Sequence, residues 1–280
     1  RKGRIDFECE IESLGSGKVA LEAVIYEDAG RDEKTGELLG KKVAKKITGT
    51  AAVKKGKTVV TFGGEWKDAV TWELERPFLY NAEIRLVVGK NVCDSVPKIL
   101  FGFRELWREG KDLYMNGHIQ HYRGFWKQRL PKNLADVKKY GYSLAYQTHQ
   151  HESRYTEDPK FMEECSRIGL AVFTGAPTVA AMRERMFGND DNVAQYRRHL
   201  DFWAKSCRNY PAIAGASVCV NMLCAAWWME GPKDFGQHEV TLDGDKGLSH
   251  TALVAMNMAR EYNPYAFYFA HGDGNIGDIG

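Results

Sequence analysis

The segment RNYPAIAGASVCVNM, residues 208–222, leaves a polar turn, runs through apolar residues and surfaces on Asn221. In parallel-sheet proteins such strand ends are where sites are assembled. An amide there can orient a ligand by hydrogen bonds, but it cannot hand a proton to a leaving group at useful rates. Two carboxylates, Glu230 and Glu239, follow in the next polar stretch. Either would serve as acid or base if it swung inward; otherwise both are solvated loop residues. Trp126, Trp227 and Trp228 sit in or beside apolar runs. Their faces can stack on the C–H face of a ring-shaped ligand without any charge, and the same side chains would also suit a lid or a core.

A second constellation lies in THQHE, residues 148–152, where His149 and His151 stand two apart. A His-x-His pair can open a divalent-metal site that activates water, with His271, Asp273 and Asp278 as candidate further ligands. Two-residue spacing on a regular strand puts both side chains on one face, and a strand that has already turned at that point separates them. Lone histidines are more often satisfied surface or core residues, so no metal is assigned.

Two kinds of element must position these groups. From Arg1 to about Arg104, short alternating runs are separated by turn residues. IDFECEIES puts Ile5, Phe7, Cys9 and Ile11 on one face, the period of a half-buried strand. KVALEAVIYE, AKKITGTAAV, KTVVTFGG, YNAEIRLVVG and DSVPKILFGF continue the pattern, with EDAGRDEKTGELLG as a polar hairpin loop. Strands at this spacing predict an all-β sandwich of immunoglobulin type over residues 1–106. Asn116-Gly117, between two short apolar runs, is a strong signal for a two-residue hairpin turn.

After about Leu113 strands alternate with helical patterns. The strands are IQHYRGFW, YSLAYQTH, LAVFTGAP, AIAGASVCV and AFYFAHG. Between them lie LPKNLADVKKYG, DPKFMEECSRIG, a helix near 192–208 and KGLSHTALVAMNMAREY. The second helix opens at Asp-Pro and closes at Gly169. This rhythm predicts a parallel sheet with right-handed crossovers, about five βα units over residues 107–280.

Composition narrows the function classes. With 39 basic and 37 acidic residues, the chain has no charge excess suited to nucleic acid. No apolar run approaches the ~18 residues of a membrane span. The N-terminus shows neither an initiator Met nor a signal-peptide pattern and assigns no compartment; an extracytoplasmic or secreted setting is compatible with it. Six cysteines lack CxxC spacing, which fits buried thiols better than a zinc site or a disulfide framework. A Cys9–Cys93 bridge is left to geometry.

TWELERPFLYNAEIRLVV followed by FGFRELWREGKDLYMNGHIQHYRGFW resembles glycoside hydrolase family 2, which includes the β-galactosidases and β-glucuronidases. The resemblance rests on Trp72, Pro77, Leu79 and Tyr80, then Phe101–Arg104, Asn116-Gly117 and Arg123-Gly124. It continues through YGYSLAYQTH, MEECSRIGLAVFTGAP and RNYPAIAGAS. It implies a sandwich followed by the first part of a (β/α)8 barrel, a β-linked glycoside or oligosaccharide as ligand, and no organic cofactor.

Retaining glycoside hydrolysis needs two carboxyl groups about 5–5.5 Å apart. The resemblance implies an acid/base Glu at the end of the fourth barrel strand. Counting from Asn209-Tyr210-Pro211, that position holds Asn221, or Met222 in the neighbouring register. The family's nucleophile belongs to a seventh strand, whereas five units are counted here. Further polypeptide or a neighbouring chain is therefore expected to complete the barrel. Other positions also depart from the family: its Arg-Gly-x-Asn reads Arg123-Gly124-Phe125-Trp126, and its Asn and Arg on the second strand read Ser143 and Tyr146. His149 matches. The expected sugar-contacting set is Trp126, Tyr146, His149, Trp227, Trp228 and His271, with Asn221 at the acid position and Glu230 and Glu239 as relocated acids. A binding protein without turnover is the alternative, with a metal-dependent hydrolase using His149 and His151 behind it.

Overall fold

The computed structural model describes residues 3–126, 134–146, 159–177, 190–220, 248–271 and 278. The chain divides into two compact units, one of residues 1–72 and 78–103 and one of 73–77 and 104–280.

The first unit is a β-sandwich. Strands β1 (Arg4–Ser13) and β4 (Gly56–Glu65) form an antiparallel pair. Strands β2 (Gly17–Arg31), β3 (Leu38–Val53), β5 (Tyr80–Val88) and β6 (Asn91–Ser95) form a second sheet in the order β3-β2-β5-β6, with β7 (Ile99–Phe101) also paired to β5. The alternation expected in β1 is present: Ile5, Phe7, Cys9 and Ile11 are half-buried between exposed Arg4, Asp6, Glu8, Glu10 and Glu12. They close on a core of Leu21, Ile25, Ile47, Phe62, Tyr80 and Ile84. Each such side chain removed from water contributes about 1.5–3 kcal/mol before entropy is counted.

Tyr80, from the Pro-x-Leu-Tyr stretch, anchors an aromatic cluster with Trp66 at 4.8 Å and Phe103 at 5.8 Å between ring centroids. Its hydroxyl accepts from the Val70 amide at 2.9 Å. Cys9 is half-buried and Cys93 exposed, and both are free thiols, so the Cys9–Cys93 bridge is not formed. The hairpin loop is shorter than expected, because β2 continues to Arg31 and β3 begins at Leu38. Asp32 makes this tight reversal feasible by accepting from the amides of Lys34 at 2.9 Å and Thr35 at 2.7 Å. Those bonds hold its carboxyl below the usual range.

The second unit begins with an antiparallel meander of β8 (Leu106–Glu109), β9 (Asp112–Met115) and β10 (His118–Ile119). Asn116 and Gly117 both adopt positive φ, 51° and 93°, and make the two-residue turn that joins Met115 to His118. A parallel sheet follows, built from β11 (Gly124–Trp126), β12 (Leu144–Tyr146), β13 (Ala171–Gly175), β14 (Ile213–Val220) and β15 (Phe267–His271) in sequential order. The strand expected over IQHYRGFW is shorter than the segment: Ile119 closes β10, which pairs backward on β9, residues 120–123 form no strand, and only Gly124–Trp126 joins the parallel sheet.

Helices α1 (Leu134–Lys139), α2 (Pro159–Ile168), α3 (Asp190–Cys207) and α4 (Leu248–Tyr262) are the crossovers. After α2 the chain reverses at Gly169, with φ 71°, where a Cβ would collide with the Leu74 carbonyl. Glycine is required there on both counts.

Candidate functional site

Because all five strands are parallel, their C-terminal ends share one edge of the sheet. The register aligns Trp126 with Tyr146 and Phe173, then Gly175 with Ser217 and Phe269, and finally Val220 with His271. One face of the sheet carries a cluster of Leu144, Ala171, Phe173, Ala214 and Phe269, with Tyr122, Tyr146, Leu74 and Leu106 packed on it. Phe173 lies 5.5 Å from Phe269 and 5.6 Å from Tyr122, and Tyr146 lies 6.2 Å from Phe269. The Phe173 ring fits because its neighbour is Gly215, where a Cβ would approach it to 3.0 Å. Small residues opposite large ones are how layers inside a rolled sheet interdigitate.

Tyr146, the last residue of β12, is half-buried against this cluster. Burial pushes its phenol above the ordinary value, so at neutral pH it is an uncharged donor and acceptor with an aromatic face. Tyr122, which precedes β11, packs on the same cluster with its hydroxyl buried and without a hydrogen-bond partner among the described residues. Burial raises that phenol to about 12, opposed by the charge of Arg104.

Arg104 works at the opposite end of the strands. Its guanidinium donates to the carbonyls of Pro211 and Ile213 at the start of β14 and, at 2.8 Å, to the Tyr265 carbonyl ahead of β15. Desolvation lowers its pKa to about 10, which leaves it charged at neutral pH. It fixes the spacing of the two strands that lead to Asn221 and His271. Sequence reasoning saw Arg104 only as part of the Phe-Gly-Phe-Arg stretch, since its three acceptors lie more than a hundred residues away.

Of the expected site residues, Trp126, Tyr146 and His271 are the terminal residues of β11, β12 and β15. Asn221 directly follows Val220, the last residue of β14, and lies outside the described residues. So do His149, His151, Trp227, Trp228, Glu230, Glu239 and Asp273. Asp278 is committed to structural bonds: its carboxylate accepts from Arg260 at 2.8 Å and from the Tyr268 amide at 2.8 Å. Among the described residues no three His, Cys, Asp or Glu side chains gather as a metal site would require, and no helix is long and apolar enough to cross a membrane.

Among the described side chains at these strand ends, Tyr146 offers an aromatic face and a neutral hydroxyl. No family model matches the chain. A beta-galactosidase of Thermoanaerobacter pseudethanolicus is 26% identical over 165 residues, covering 54% of this chain and 21% of that protein. The fold is similar to that of the beta-D-mannosidase from Dictyoglomus thermophilum, with TM-score 0.71 and 16% identity, over 99% of this chain and 34% of the other. It is similar also to a glycosyl hydrolase family 2 member from Bacteroides cellulosilyticus, with TM-score 0.63 and 15% identity, over 95% of this chain and 34% of the other. The chain is thus glycoside hydrolase family 2-like, in sequence over about half its length and in fold over nearly all of it. It spans about a fifth of the curated relative's length.

Proposed function

We propose that this chain carries a β-glycoside groove at the C-terminal ends of its parallel strands, and that it does not use the family's acid at the fourth strand. In this reading the first unit is an immunoglobulin-like sandwich and the second is the first five βα units of a (β/α)8 barrel. The observation that carries it is the run of β14: Ile213–Val220 holds the fourth position in a sequentially ordered sheet, and the next residue is Asn221.

An Asn at that point can hydrogen-bond a sugar hydroxyl or the glycosidic oxygen, but it has no proton of carboxylic acidity to transfer. Without a general acid the leaving sugar departs as an alkoxide, a loss of about 10²–10⁴-fold in rate. Trp126 and Tyr146, paired at adjacent strand ends, supply stacking and neutral hydrogen bonds to the ring, with His149, His271, Trp227 and Trp228 completing the contacts. The ligand is carbohydrate; no organic cofactor, nucleic acid or membrane partner is invoked.

The test is to incubate the 280-residue protein with a panel of aryl β-glycosides, alongside Glu230→Gln and Glu239→Gln. The expected result is saturable binding with no enzyme-dependent release of the phenol. Robust turnover abolished in either Gln variant would overturn the reading and identify that carboxylate as a relocated acid.

A further inference from the structure

The second unit takes five residues, Glu73–Pro77, from inside the stretch of sequence that otherwise builds the sandwich. The segment turns back on itself, the Glu73 amide donating to the Arg76 carbonyl at 3.2 Å. Lys138, in the last turn of α1, then fastens it. Its ammonium donates to the Leu74 carbonyl at 2.8 Å and to the Gly169 carbonyl at 3.1 Å. The Leu74 carbonyl stands where a Cβ on Gly169 would be, so the Leu74 peptide is seated on the turn just ahead of β13.

The Leu74 side chain packs on the apolar cluster that includes Leu144 and Ala171, the first residues of β12 and β13. Peptide and side chain thus engage the same two strands, and both do so at the N-terminal edge of the sheet. Arg104 serves the next pair along that edge, through the carbonyls of Pro211 and Ile213 at β14 and of Tyr265 ahead of β15. The two cations share no acceptor. Hydrogen bonds from a charged donor to a carbonyl are stronger than neutral ones, so each cation is a firm point of attachment.

We infer that residues 73–77 are a strap across the N-terminal edge of the parallel sheet, with Lys138 as its buckle. The strap holds the lead-in turns of β12 and β13 together, and the first rungs of the ladder there depend on it. The second unit therefore does not carry its whole framework in the residues from Arg104 onward. The ion pair of Lys138 with Glu75, at 3.3 Å, is secondary: the Glu75 side chain is 88% exposed, and exposed pairs contribute little. The strap lies at the edge opposite the proposed sugar groove, and the inference does not rest on that reading.

The test is residue-resolved amide hydrogen exchange on the full chain, comparing the native protein with Lys138→Met, Leu74→Ala and Glu75→Gln. The reporters are the Ala171 amide, which donates to the Ser143 carbonyl at 3.0 Å, and the Val172 amide, which donates to the Ala212 carbonyl at 2.7 Å. Lys138→Met keeps an apolar stem and removes the donor from both carbonyls. It should speed exchange at Ala171 and Val172 by about tenfold or more, with the central amides of Ile213–Val218 within about threefold of native. Glu75→Gln should leave both reporters within about threefold. Unaltered reporters in Lys138→Met would overturn the inference. So would a Glu75→Gln variant as fast as Lys138→Met, because the exposed ion pair would then be what holds the segment. An equal acceleration through Ile213–Val218 would overturn it too, since Lys138 would then act on the unit as a whole. If Lys138→Met does not fold, Leu74→Ala decides by the same thresholds.

Discussion

Tyr122 shows how one side chain reports the dielectric of its surroundings. Its hydroxyl is buried without a partner among the described residues, so its desolvation is uncompensated. Tyr122→Phe removes that cost while keeping the ring against Phe173. Urea denaturation at neutral pH should show the variant at least as stable as the native protein, by up to about 2 kcal/mol. Destabilisation by more than about 1 kcal/mol would mean that the hydroxyl has a bond after all. The pH dependence follows from burial, which raises the phenol from 10.0 to about 12. The folded state holds the proton more tightly than the unfolded one. This contribution is complete below pH 10 and is lost as the pH climbs towards 12. Over that range the native protein should lose more stability than the Phe variant.

Among the elements, the sequence was clearest where a local rule suffices. The alternation of Ile5, Phe7, Cys9 and Ile11 and the turn at Asn116-Gly117 need only near neighbours to be read. In IQHYRGFW only Gly124–Trp126 joins the parallel sheet, because Ile119 still belongs to the meander and the chain crosses from one sheet to the other over residues 120–123, a change that leaves no mark on local periodicity. The loop after β2 was overestimated because Asp32 closes the reversal within a few residues. At the site, Tyr146 was legible as a residue of the strand YSLAYQTH, whereas Arg104 and Asp278 acquire meaning only from partners on distant segments. Gly169 was legible as a helix stop, but the carbonyl it accommodates belongs to Leu74. Gly169→Ala forces a side chain into positive φ and into that carbonyl. A loss of about 1–3 kcal/mol is expected from denaturant unfolding of the second unit. A loss below about 0.5 kcal/mol would show that the 73–77 segment can yield.

For the molecule as a whole, the two units carry different kinds of information. The sandwich core is a matter of burial and pattern, readable from sequence alone. The parallel sheet is a matter of order: five strands in sequence order set the ends of β11, β12, β14 and β15 along one edge, and only that order makes distant residues neighbours. The second unit also takes in Glu73–Pro77. Lys138 bonds the Leu74 carbonyl at 2.8 Å and the Gly169 carbonyl at 3.1 Å, and Leu74 packs on the sheet's apolar cluster. A pattern-based boundary follows strand spacing and does not register such a segment.

The most direct measurement is calorimetric titration of the full chain with β-linked gluco-, galacto- and manno-oligosaccharides, repeated for Trp126→Ala and Tyr146→Ala. Saturable binding of at least one sugar, weakened about tenfold or more in both variants while both remain folded, is the predicted result. Absence of binding to every sugar, or binding that both variants leave intact, would contradict a groove at these strand ends.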